Sequence, residues 1–335
     1  MRTVDGPPAI PATPTALATT TSSRIGYWTA FTIVLILLAG APLVLPPFWQ
    51  RFATEILVWG LLAMSSDILI GYTGMVSFGH SAFFGLGMYG AAAALLTVTP
   101  PNLWISLLYG LAGAGLVAVF VAFFATRLRD IYFAISTLVF SQIFYVIIFT
   151  WTEVTGGENG LTFRQPPLTL PGLDSVRFTA VTFHWFVLAV VAAAYLVVRR
   201  ITQSPFGKVL QAIRENEART RAIGYHVERY KIVAVMLSGL VAGLAGALYA
   251  LQNKFAAPDF VFFIVSGEVV IFNVMGGMGT LVGPFAGAAF FLLLREALSR
   301  YLTEYYLIPL GIVFIVMIVF LPQGLLGFAR RALNR

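Results

Sequence analysis

The side chains with the most chemical potential in this chain are ionisable groups set inside apolar runs. Asp67, His80 and Glu268 each lie near the middle or inner end of a stretch that is otherwise hydrophobic. An acid at the centre of a membrane span costs roughly 2.5–3.5 kcal/mol on insertion, so such residues face a cavity or a partner. Each of the three therefore either lines a pathway or ties helices together. Asp67 and His80 flank or end a Gly-dense, semi-polar segment, Gly71-Tyr72-Thr73-Gly74-Met75-Val76-Ser77-Phe78-Gly79-His80. Glu268, next to Ser266, leads into Gly276-Gly277-Met278-Gly279-Thr280 and Gly283-Pro284. Glycines expose backbone amides and carbonyls that suit a polar path. Gly71, Tyr72, Gly74, Ser77, Gly79, His80, Ser266, Glu268, Gly276 and Gly277 are accordingly the expected lining of such a path. The second segment reads either as an ordinary interhelical turn or as a helix broken at membrane depth, where protein or water must cover the backbone.

Other chemistry is excluded or unsupported. There is no Cys, hence no disulfide, thiolate catalysis or Cys-bound metal. His80, His184 and His226 are far apart and show no metal-ligand spacing, so no metal is expected. No G-x-x-x-x-G-K-[ST] loop is present, and Gly85-Leu86-Gly87 is a span glycine pair rather than a dinucleotide fingerprint. No Ser-His-acid arrangement can be argued from spacing. No catalytic residue and no cofactor are expected, and any energy source must be a partner or an ion gradient.

Stepping from these residues to the elements that hold them, the chain has 335 residues, is 59% hydrophobic and only 10% charged, with a mean hydropathy of +0.87. A soluble domain carries about a quarter charged residues, so the solvent here is the bilayer. The sequence predicts an all-α polytopic membrane protein of about ten spans (range 8–11), some short or Gly-broken. They fall near 28–45, 55–71, 80–97, 104–126, 131–150, 181–198, 231–251, 262–276, 281–298 and 304–321. With the N-terminus inside, the inner segments hold fifteen Lys and Arg and the outer ones six, which places both termini in the cytoplasm. The net charge of +7 is thereby explained without nucleic acid. Residues 1–27 read as a disordered cytoplasmic tail rich in Pro, Ala and Thr, 28–322 as the membrane domain, and 323–335 as a basic cytoplasmic tail. Residues 151–180, with their Gly and Pro pairs, read as an irregular outer loop.

Eight of the 21 Lys and Arg fall between Arg199 and Lys231, wedged between two apolar spans. This loop, 199–231, cannot sit in lipid and is expected to dock a soluble partner. Ser204 is positioned to cap a helix, Pro205 suits its first position, and Gly224 suits its end. One surface helix over about 205–223 follows, with Val209, Ala212, Ile213 and Asn216 on one face. The span after it carries small residues four apart, Gly239 with Gly243 and Ala242 with Gly246 and Ala250, a close-packing signal repeated at Gly283 and Gly287.

Three blocks together resemble the LivM-type permease subunits of ATP-binding cassette importers for branched-chain amino acids. They are Gly71-Tyr72-Thr73-Gly74 with Ser77, Gly79 and His80; Gly207, Ala212-Ile213-Arg214-Glu215-Asn216-Glu217 and Gly224 with the span after them; and Ser266, Glu268, Gly276-Gly277, Gly279-Thr280 and Gly283-Pro284. The resemblance covers about residues 60–325. It implies a transport subunit without an ATPase site, set in a bacterial-type inner membrane. It also implies a second homologous permease, two cytoplasmic ATPase subunits and an extracytoplasmic substrate-binding protein as partners. Gly207, Ala212, Ile213, Arg214, Glu215, Asn216, Glu217 and Gly224 would couple to the ATPases. Met75, Phe78, Asp67 and Gly267 depart from residues common in the family, and importers of urea and short amides look similar at the same blocks. An ion-coupled secondary transporter is the competing reading; a membrane-embedded enzyme would need a polar cluster that the sequence does not show.

Overall fold

A computed structural model describes residues 21–128, 130–168, 177–302, 305–320 and 324–327. Each of the ten apolar stretches falls on a helix. In chain order the helices are α1 (Thr21–Val44), α2 (Pro47–Thr73), α3 (His80–Thr97), α4 (Leu103–Ala125), α5 (Asp130–Thr150), the single turn α6 (Thr152–Thr155), α7 (Ala180–Thr202), α8 (Pro205–Glu215), α9 (Glu217–Ala222), α10 (Val227–Asn253), α11 (Phe263–Gly276), α12 (Gly283–Tyr301) and α13 (Leu307–Phe320). Five of them, α2, α4, α5, α7 and α10, are long and apolar enough to cross a membrane by themselves; the apolar part of α1, and all of α11 and α13, are shorter. Residues 21–27, expected in the tail, form the first turns of α1, because a helix continues past its apolar part once nucleated. The rest of the expected N-terminal tail and residues 323 and 328–335 of the C-terminal one lie outside the described residues.

The termini of the helices follow local rules. Asn102 caps α4 by accepting from the amides of Trp104 and Ile105, and Thr179 with Thr182 forms a capping box on α7. Pro stands in the first turn of α2, α8 and α12.

α2 is the central helix: 83% of its most apolar window is buried, against 22% for α5. Against it, chiefly through α10, lies a block in which α3, α4 and α10 pack backbone to backbone. A Cβ on Gly87 would overlap the backbone of Gly243, and one on Gly246 the carbonyl oxygen of Phe84. The small-residue spacing of the sequence thus marks a real close approach. α5, α4 and α13 turn large apolar side chains outward, among them Ile131, Tyr132, Leu116 and Ile315, a surface suited to lipid.

The bundle has two distinct ends. At one, α8 meets the last turn of α2 and the 277–282 turn, and α9 packs on α8 and α10. At the other, the expected irregular loop 151–180 has order: after α6 and a 3-10 turn, β1 (Leu161–Thr162) pairs antiparallel with β2 (Phe255–Ala256), Leu161 opposite Ala256. Phe163 N donates to Lys254 O at 3.2 Å, and Gln252 Nε2 donates to Arg51 O at 3.0 Å. This pairing joins segments nearly a hundred residues apart, so no local signal announced it. Residues 169–176 of that loop lie outside the described residues.

Candidate functional site

The signature segment closes α2 and opens α3. Gly74 ends α2 with φ 76° and donates its amide to Leu69 O. Ser77 Oγ accepts from Gly79 N at 3.2 Å, and Phe78 N donates to Thr137 Oγ1 at 3.1 Å, fastening the loop to α5. His80 is fully buried, with Nε2 2.7 Å from Ser238 Oγ. Ser238 gives its one hydroxyl proton to Ser65 O at 2.6 Å; His80 must therefore donate through Nε2. Tyr72 and Ser77 are buried as well. Gly74, Val76 and Phe78 line an apolar groove against Ile131, Ala134, Ile135 and Leu138 of α5.

The second Gly-rich segment has a similar inward character. Ser266, fully buried, accepts from Ser81 N at 2.8 Å and donates to Ser81 Oγ at 2.9 Å, joining α11 to the first turn of α3. Gly276 and Gly277 are buried where α11 turns into α12, and a Cβ on Gly276 would overlap Gly283 O. Of the two expectations for 276–284, the interhelical turn is what forms: six residues, with positive φ at Gly277, Gly279 and Leu281. Glu268 is half-buried, with Oε2 3.9 Å from Arg295 Nη1 of α12.

Three elements converge at the C-terminal end of α2. Asp67 is fully buried and spends both oxygens on the turn: Oδ1 accepts from Gly279 N at 2.7 Å and Oδ2 from Leu281 N at 3.1 Å. One helical turn on, the carbonyl of Gly71 accepts from the guanidinium of Arg214 on α8. Glycine is needed on both sides of this seam. A Cβ on Gly71 would overlap Asp67 Oδ1 and the Gly279 backbone, and Gly279 sits at φ 79° with Gly71 O and Arg214 Nη1 close by. Sequence reading picked out Asp67, Gly71, Arg214 and Gly279 separately. It had no means of joining them, since Asp67 and Gly279 are 212 positions apart.

The elbow over 205–223 differs from expectation in two respects. The helix expected over 205–223 is two helices, broken at Asn216, whose extended backbone lets its Oδ1 cap α9 by accepting from Arg219 N at 2.8 Å. Asn competes with a continuing helix in this way. Ser204 sits at the cap position of α8 without capping; its hydroxyl donates back to Ile201 O at 2.6 Å. Pro205 and Gly224 behave as read, Gly224 with φ 98° in open space. Gly207 packs so tightly on Thr202 that a Cβ would overlap the Thr202 carbonyl. Ile213 is buried and Ala212 half-buried, while Glu215 and Asn216 are exposed. Glu217 faces its own chain: it pairs with Lys231 at 2.6 Å and with Arg221 at 3.0 Å, and Arg221 pairs with Glu228 at 2.6 Å. Among the described residues no group of His, Asp and Glu could hold a metal ion.

An apolar helical bundle with one polar elbow seated on its central helix defines a multi-pass membrane protein. Comparison with known proteins places it further. The family described as "Branched-chain amino acid transport system / permease component" matches residues 49–320. The chain is 31% identical over 304 residues to the high-affinity branched-chain amino acid transport system permease protein LivM of Salmonella typhimurium, covering 84% of this chain and 71% of that one. It is 29% identical over 326 residues to its Escherichia coli counterpart, covering 91% and 76%. A more distant relative is the autoinducer 2 import system permease protein LsrC of Klebsiella pneumoniae, 28% identical over 165 residues, covering 47% and 44%. The chain belongs to the branched-chain amino acid permease family.

Proposed function

We propose that this chain is one membrane-spanning subunit of an ATP-binding cassette importer for branched-chain amino acids. In this reading it forms the path with a second, homologous permease, two cytoplasmic ATPases drive it, and an extracytoplasmic binding protein delivers the cargo. All ten apolar helices cross the inner membrane, with both termini and the α8–α9 elbow in the cytoplasm. The distribution of Lys and Arg supports this orientation. So does the sorting of contacts: Gly71, Arg214 and Gly279 meet at one end, and Arg51, Leu161, Gln252 and Ala256 at the other.

One observation carries the reading. A soluble elbow is plugged by Arg214 into the last turn of the most buried helix, and Asp67, one turn before, holds the α11–α12 turn. A motor pulling on α8 would thereby move α2 and the α11–α12 hairpin together. The chain supplies no phosphate-cradling loop, so the motor is a separate subunit.

The test is reconstitution with its three partner subunits and its binding protein. Arg214→Glu should leave membrane insertion and permease pairing intact while ATP-driven uptake of L-leucine falls at least tenfold. Undiminished uptake in that variant, or uptake driven by an ion gradient without ATP, would overturn the proposal.

A further inference from the structure

The polar groups at the inner end are spent on the protein itself, whereas the outward half of the bundle holds a charged pair that is not. α11 leaves one stripe open. Ile264 is 54% exposed, a Cβ on Gly267 would meet nothing within 4 Å, and the Glu268 side chain is 26% exposed. These positions, with half-buried Ile271, share a helix face by their spacing of three and four. Arg295 of α12 reaches the stripe with 33% of its side chain exposed. Counted at about 1.5 Å per residue, Glu268 and Arg295 lie roughly 8–9 Å inside the outer ends of their helices. They share one depth within the apolar layer. Their 3.9 Å separation is ion-pair range but too long for a hydrogen bond. Glu55 of α2 also attracts Arg295, but its Oε1 is already an acceptor for Trp59 Nε1 at 3.3 Å. An exposed charge pair at this depth must meet water or protein rather than lipid.

We propose that Glu268 and Arg295 take the ammonium and the carboxylate of an α-amino acid as it passes. This rests on the reading of the chain as part of an amino-acid path. The chemistry is an exchange of partners. Glu268 releases Arg295 and accepts N–H bonds from the ammonium; the guanidinium, with its forked donors, turns to the carboxylate. The pair is neutral and so is the cargo, hence every charge has a partner before, during and after passage. No isolated ion is created at membrane depth, a state that would block transit. Gly267 supplies the room beside Glu268, and the apolar stripe at Ile264 and Ile271 suits a branched aliphatic side chain.

The assembled importer, reconstituted with its partners and assayed with L-leucine, tests this. Glu268→Gln and Arg295→Gln should each lower uptake at least tenfold, and the ATP consumed per leucine should rise in both. The charge-swapped pair Glu268→Arg with Arg295→Glu should not recover uptake, because the cargo then meets reversed charges. Recovery by the swap would show a pair that only holds helices, or only meets the second permease, and would overturn the proposal. So would unchanged uptake in the single variants. Accessibility gives a second reading that survives a folding defect. In this Cys-free chain, Gly267→Cys should react with a water-soluble thiol reagent in at least one state of the ATP cycle, and leucine should slow that reaction. No labelling in any state would also overturn it. Failure of the unaltered importer to take up any branched-chain amino acid would instead count against the function proposed above.

Discussion

The α3–α4–α10 block and the junction at the C-terminal end of α2 are both glycine-rich, yet they are built on different principles. In the block, glycines remove side chains so that helix backbones touch, Gly87 on Gly243 and Gly246 on Phe84. Contacts of this kind have no alternative arrangement at low cost, and the three helices should move as one body. In the junction, Gly71 and Gly279 remove side chains so that polar groups can reach each other: Asp67 to two amides, Arg214 to a carbonyl. A handful of directional bonds can be stretched or exchanged, which close-packed backbones cannot. The same residue type serves rigidity in one region and linkage in the other, and what it admits decides which.

The comparison can be broken most severely inside the block. Gly246→Leu would drive a side chain into the Phe84 carbonyl, and overpacking of this kind costs about 1–3 kcal/mol or more. The expected outcome is loss of folded protein from the membrane, read as lower yield and melting temperature, with no change in the ATP consumed per cargo by what survives. At the junction the signature should invert. Asp67→Ala leaves the amides of Gly279 and Leu281 without their acceptor, at about 1–3 kcal/mol for the buried one. We expect assembled importer with several-fold more ATP spent per cargo, and a milder defect in Asp67→Asn, which keeps one acceptor. A proportional fall of transport and hydrolysis in Asp67→Ala would place the residue with the block instead.

A smaller effect separates the two sides of the elbow. Glu217→Gln strips a 4%-exposed Lys231 of its partner and should lower stability by about 1–3 kcal/mol. Arg221→Gln removes bridges from a 45%-exposed side chain and should cost no more than about 1 kcal/mol in thermal unfolding. Equal effects would mean that α9 is not held by the Lys231 bridge.

What was legible in the sequence was what is local. Apolar runs placed the helices, small residues four apart placed the close approaches, and Pro205 and Gly224 bounded the elbow. The break at Asn216 was local too, but it was missed: an Asn after a good helical run reads as a helix residue until its side chain is seen capping the next helix. Ser204 occupies the cap position, but its hydroxyl is turned back to donate to Ile201 O, and Oγ accepts no amide of α8. Asp67 and Glu268 were both flagged as acids in apolar runs, and nothing local distinguished them. Their surroundings do: Asp67 is sealed among amides from a turn 212 positions away, and Glu268 stands half-open beside Arg295. Such differences arise only when distant segments meet.

The two-residue ladder between β1 and β2 bears on how chains of this architecture can diverge. Because Leu161 faces Ala256 and Phe163 N reaches Lys254 O, the stretch from the end of α5 to Phe163 has its length set by a partner beyond α10. One residue inserted between Gly160 and Leu161 would slip the pairing and turn each side chain to the opposite face. Length variation, epitope tags and grafted loops should therefore be excluded from the stretch between α5 and Phe163.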